Sequence, residues 1–135
     1  MKEITVPALV QSIEPITDFV NEQLEAMDLP MKATMQIDIA IDELVGNIAM
    51  YAYSPNSGDV TVRVEFTESP RSVVITFIDS GTPYDPLKKD DPDVTLSLEK
   101  RKIGGLGIFL VKKSMDDMTY EYRSGQNILR IYKKF

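Results

Sequence analysis

The chain has no cysteine and no histidine. Without cysteine there is no disulfide and no thiolate metal site. Without histidine, imidazole acid–base catalysis, imidazole metal ligation and a phosphoacceptor histidine are all excluded. No apolar run is long enough to span a bilayer, and the N-terminal MKEITVPALV lacks a signal-peptide core. The cytoplasm is therefore the expected compartment, with no membrane partner. Basic residues are outnumbered, 15 against 21 acidic ones; the net charge of −6 argues against direct contact with nucleic acid. There is no internal repeat and no domain boundary. What remains is 135 residues, 43% hydrophobic and 27% charged, enough for one domain (1–135) around one well-filled core.

Hydrophobic periodicity orders that chain into elements. Glu3 to Val6 reads as a short opening strand. Ser12 is a plausible N-cap for a helix marked by Ile13, Ile16, Val20, Leu24 and Met27, with Pro15 tolerated in its first turn. Leu29-Pro30 breaks it, and a second helix follows from about Met31. Asn56-Ser57-Gly58 is a turn. Val60, Val62, Val64 and Phe66 alternate with Thr61, Arg63 and Glu65, a half-buried strand. Val73 to Ile78 is more continuously apolar and should lie centrally in the sheet. Thr82 to Lys102, rich in Asp, Lys and Pro, has no clear period and is a long loop. Ile103 to Met115 returns to helical spacing, and Met118 to Arg123 with Ile128 to Tyr132 forms a closing hairpin.

Three stretches carry chemistry. On the helix from Gln36 to Tyr53, Ile37, Ala40, Ile41, Leu44, Val45, Ile48 and Ala52 share one apolar arc. Glu43 and Asn47 stack on one face at its rim, while Asp38 and Asp42 lie on the opposite rim, where a solvated face is expected. A carboxylate and a carboxamide one turn apart suit a hydrated hard cation and a proton acceptor; an ordinary polar rim has the same spacing. Asp79 then ends an apolar strand just before Gly81, whose missing side chain lets a flat ligand approach the main chain. A carboxylate there can accept hydrogen bonds from an exocyclic amine such as that of adenine, though Asp, Ser, Gly and Pro also build plain turns. Finally, Gly104, Gly105, Leu106 and Gly107 open a helix, where unpaired N–H groups bind phosphate. Lys100, Arg101 and Lys102 just upstream add positive charge, or balance Asp90, Asp91 and Asp93.

The order E-x-x-x-N on a helix, D-x-G after a strand, a long loop and G-x-G opening a helix resembles the Bergerat ATP-binding fold of histidine kinases and gyrase. DELVGNIAMYAY, DSGTPYDP and GGLGIFLVKKSMDD are more closely similar to the small anti-sigma-factor serine/threonine kinases and their ATP-binding relatives. The resemblance covers essentially the whole chain. It implies an α/β (α+β) two-layer sandwich, with a mixed, mostly antiparallel sheet covered on one face by helices. It also implies ATP and Mg²⁺ as cofactors, with Glu43 as general base and Asn47 as metal ligand. Asp79 takes the role of the adenine-recognising carboxylate, supported by Gly81. Arg101, Gly104, Gly105, Leu106 and Gly107 border the phosphates, and residues 82–102 form the ATP lid. Two positions depart from the family pattern: Tyr51 stands where many relatives carry histidine, and Gln126-Asn127 replaces the Gly-Thr whose hydroxyl assists the adenine carboxylate. An amide such as Asn127 can replace that hydroxyl in hydrogen bonding.

The resemblance also implies partners. Histidine kinases need a phosphoacceptor histidine, which this chain lacks. The expectation is an anti-sigma regulatory factor that phosphorylates a small anti-anti-sigma (STAS-type) protein on Ser or Thr and thereby controls a sigma factor, with the family's homodimer as a further expectation. The alternative is an ATP-sensing, protein-binding switch of the same fold that phosphorylates nothing.

Overall fold

A computed structural model describes residues 1–88 and 105–135. Its five strands form one sheet: β1 (Lys2–Pro7), β2 (Asp59–Thr67), β3 (Ser72–Asp79), β4 (Asp117–Arg123) and β5 (Gln126–Lys134), in the spatial order β1-β2-β3-β5-β4. Each of the four pairings is antiparallel, so the described sheet holds none of the parallel pairs of the mixed sheet expected. Three helices, α1 (Ile13–Ala26), α2 (Met31–Asn47) and α3 (Gly105–Ser114), cover one face. This is the two-layer α+β sandwich anticipated from the sequence.

The pattern of each strand explains its position. β2 turns Val60, Val62 and Val64 to the helices and Thr61, Arg63 and Glu65 away. β3 lies in the middle of the sheet, buried along nearly its whole length, as its continuous apolar run requires. Between the layers, Ile16, Val20 and Leu24 of α1 meet Ile37, Ile41 and Val45 of α2, with Ile75, Phe77 and Ile131 beneath them. The β4–β5 hairpin closes through Ser124 and Gly125, both at positive φ (54° and 76°), a two-residue turn whose twist matches the strands. That turn sets Tyr122 opposite Asn127 and Tyr120 opposite Leu129.

Two helix ends differ from expectation. Ser12 makes no capping hydrogen bond, because it is the last residue of a 3-10 turn (Val10–Ser12) and has helical rather than extended backbone angles. The helix expected to run on to Tyr53 stays α-helical only to Asn47, and Ile48–Ala52 is a π-helical turn. The cause lies outside the helix. The Ala52 carbonyl accepts a hydrogen bond from Thr82 N–H (2.8 Å), and the Tyr53 hydroxyl donates to Asp59 O (2.6 Å) while accepting from Ser80 N–H (2.7 Å). Meeting these partners pulls the last turn off the 3.6-residue period; such π-turns occur often at functional sites.

Candidate functional site

A cavity of about 400 Å³ opens where the end of α2, the end of β3 and the start of α3 converge. Its walls are mainly apolar: Leu44, Ile48, Phe77, Ile108 and Leu129, with Tyr51, Tyr84 and Tyr120 at the sides. Three polar side chains foreseen as site residues, Asn47, Asp79 and Asn127, line it. An apolar cleft of this size with a few fixed polar groups is the ordinary form of a small-molecule site.

Asp79 and Asn127 come together because they are directly opposite in the β3–β5 register. Both are 6% exposed. Asp79 Oδ1 accepts from Gly81 N–H (2.9 Å) and from Asn127 Nδ2 (2.9 Å). Asp79 Oδ2 has no hydrogen-bond partner among the described residues and is not a buried orphan, so it reaches the cavity. Asn127 uses its whole amide: Nδ2 also donates to Thr82 O (3.0 Å), and Oδ1 accepts from Tyr84 N–H (3.1 Å) and the Tyr120 hydroxyl. One side chain thus ties the strand-ending carboxylate to the first residues of the following loop. Burial raises the Tyr120 pKa, and the charges of Asp85 and Asp79 raise it further against the lowering effect of the Tyr84 N–H, so the hydroxyl stays a donor at neutral pH.

Asn47 lines the cavity from α2, and Glu43, one turn earlier and outside the lining, is joined to it by a long hydrogen bond from Asn47 Nδ2 to Glu43 Oε1 (3.4 Å). Asn47 Oδ1 has no partner among the described residues and can serve as a cation ligand. Gly107, in the first turn of α3, packs directly on Glu43: a Cβ built there would fall on the Glu43 carboxyl group. Gly105 and Leu106 begin α3. Arg101, Gly104 and the expected lid beyond Lys88 lie outside the described residues; the lid's described part, 82–88, ends in a short 3-10 helix, Pro86–Lys88. Among the described residues no cluster of three or more acidic, His or Cys side chains could hold a metal.

Gly81 serves a use that the sequence did not suggest. The space a side chain would take is occupied by the Ala52 carbonyl, not left open to a ligand. Because that neighbour is backbone, Gly81→Ala should destabilise the protein by about 1–3 kcal/mol through overpacking, readable as a lower urea midpoint. An unchanged midpoint would mean that loop and π-turn separate at no cost. Tyr84 and Tyr120 were also missed. The only signal for Tyr120 was indirect: a two-residue hairpin turn fixes the register that brings it beside Asn127.

Sheet, helical layer and cavity together make a two-layer α+β domain with a small-molecule type of cleft at one end of its sheet. Residues 6–133 match the family model described as histidine kinase-like ATPase domain, and the chain belongs to that family. It is similar to the serine/threonine-protein kinase BtrW of Bordetella bronchiseptica (27% identical over 95 residues, 70% of this chain and 66% of that protein). It is also similar to the serine-protein kinase RsbW of Listeria monocytogenes (30% over 103 residues, 73% of this chain and 64% of that protein). The RsbW of Bacillus cereus is 24% identical over 131 residues, 94% of this chain and 81% of that protein. The match to the first two thus spans just under two thirds of each relative's length. No helix among the described residues is long and apolar enough to cross a membrane.

Proposed function

We propose that this protein is an ATP- and Mg²⁺-dependent serine/threonine protein kinase of the anti-sigma type, which phosphorylates an anti-anti-sigma (STAS-type) protein and thereby controls a sigma factor. The observation that carries this reading is the asymmetric tether of Asp79, with one oxygen held by Gly81 and Asn127 and the other open to an apolar cavity. A fixed acceptor at the end of a flat apolar slot suits the amino edge of adenine. The donor set fits the cation as well: hydrated Mg²⁺ needs only one or two protein oxygens when phosphates supply others, and Asn47 Oδ1 offers one. Bound there, the cation would offset phosphate charge.

The chain's own residues supply the rest. The N–H groups that begin α3 have no intrahelical partner and carry the positive end of the helix dipole, so they favour phosphate oxygens. Glu43 accepts the proton of a partner's Ser or Thr hydroxyl as its oxygen bonds to the γ-phosphorus and the bond to the ADP leaving group breaks. The apolar walls exclude water, which limits wasteful hydrolysis.

Incubation with γ-labelled ATP, Mg²⁺ and candidate anti-anti-sigma proteins tests the assignment. The expected result is label on a Ser or Thr of the partner, absent without Mg²⁺. A cognate partner that binds tightly and stays unlabelled over hours, while ATP alters its affinity, would replace the kinase with the non-phosphorylating switch.

A further inference from the structure

Outward-facing positions on a surface helix are ordinarily polar; on α2 Lys32 and Asp42 are, but a row beside them is apolar. Met31, Met35 and Ile39, each one turn from the next, are 78%, 57% and 56% exposed. Farther along, nothing lies within 4 Å of a Cβ built on Gly46, and Met50 on the π-turn is 58% exposed. Single exposed apolar residues need no explanation, whereas a row of them on one helix does. Methionine suits a contact surface because its flexible, polarizable chain adapts to what it meets.

The charge beside this row is predominantly acidic, with Lys32 the single exposed cation. Asn21 Nδ2 donates to Asp38 Oδ1 (3.0 Å), stitching α1 alongside α2. Exposed on α1 are Glu14, Asp18, Glu22 and Glu25; exposed on α2 is Asp42. From Ile13 to Asn47 the only basic residue is Lys32. An isologous contact with a second copy would set acid against acid, and an anionic membrane would be repelled. A basic and apolar protein surface complements both features.

We propose that the outward faces of α1 and α2 form a docking surface for a protein that presents a basic, apolar face. Resting on the kinase reading above, that protein is the phosphoacceptor. Ile39 lies one helical turn before Glu43, about 6 Å along the axis, and Glu43 is hydrogen-bonded to Asn47, which lines the cavity. A protein seated on the methionine row therefore has its edge beside the proposed general base.

The test uses two synthetic helical peptides, one of Lys and Leu with one apolar face, the other with Glu in place of each Lys. They are titrated into the ¹⁵N-labelled full chain. Three proteins are compared: wild type, Met35→Gln/Ile39→Gln and Asp18→Lys/Glu22→Lys. All four substituted positions are exposed, so thermal midpoints should not move. The Lys/Leu peptide should shift amide signals of residues 13–47, and its affinity should fall about tenfold in each double variant, the usual effect of removing a central contact. The Glu/Leu peptide should not bind. The proposal is overturned by shifts centred on the sheet, by equal binding of both peptides, or by losses under twofold. Preferential binding of anionic vesicles would also overturn it, as would a wild-type dimer that Met35→Gln/Ile39→Gln dissolves. ATP affinity is measured on the same samples. A protein that binds the Lys/Leu peptide on this face but binds no ATP would end the kinase reading and keep the docking surface.

Discussion

Glu43→Gln should bind ATP·Mg²⁺ as the parent protein does and transfer phosphate about 10²–10⁴ times more slowly, the usual cost of losing a general base. Glutamine keeps the length of the side chain and an oxygen for the contact from Asn47 Nδ2 (3.4 Å). What it loses is basicity, which matters only as the phosphoryl group moves. Gly107→Ala is the companion experiment. Its Cβ would fall on the Glu43 carboxyl group, the far end of a flexible side chain, so the fold should survive while the carboxylate is displaced. Single-turnover transfer to the cognate partner should therefore fall in both variants, with thermal midpoints near that of the parent. Transfer at the parental rate in Glu43→Gln would remove Glu43 from the chemistry. Slow transfer accompanied by lost ATP affinity would make it a binding residue instead.

How far the site could be read from the sequence depended on how local each feature is. Glu43 and Asn47 share a face through helical periodicity alone, and their bond in the structure is an i, i+4 contact. Asp79 could be singled out because it ends the most continuously apolar strand, which does lie in the middle of the sheet. The partner across the sheet was harder. Asn127 entered as a departure from a family pattern, and only the β3–β5 register sets it opposite Asp79. The π-turn was illegible because its cause is a set of bonds to Asp59, Ser80 and Thr82, all later in the chain. The crowding at Gly81 was hidden for a similar reason: its neighbour, Ala52, belongs to that same turn. The outward face of α2 matched in part. Asp38 and Asp42 led to the expectation of a solvated face; Asp42 is exposed, but the α1 contact holds Asp38, and Met31, Met35 and Ile39 are exposed as well.

Asp79→Asn should weaken ATP binding about ten- to a hundredfold, the equivalent of losing a hydrogen bond to a charged group at roughly 1.5–3 kcal/mol. The surroundings dictate which way the new amide points. Both contacts at Asp79 Oδ1, Gly81 N–H and Asn127 Nδ2, are donors at 2.9 Å, so the asparagine must keep its oxygen there. Asn127 cannot rotate to relieve this, because Tyr84 N–H and the Tyr120 hydroxyl hold its oxygen and Thr82 O takes its second N–H. The amide nitrogen of the new residue therefore replaces Oδ2 at the cavity. It presents a donor to the amino group of adenine, which is also a donor. Inosine triphosphate, with a carbonyl in place of that amino group, should gain relative to ATP. A general loss of structure would weaken both nucleotides alike, so the ratio of the two affinities is the informative measurement. Calorimetry that gives the parental ATP affinity and the parental ratio would exclude Asp79 from base recognition.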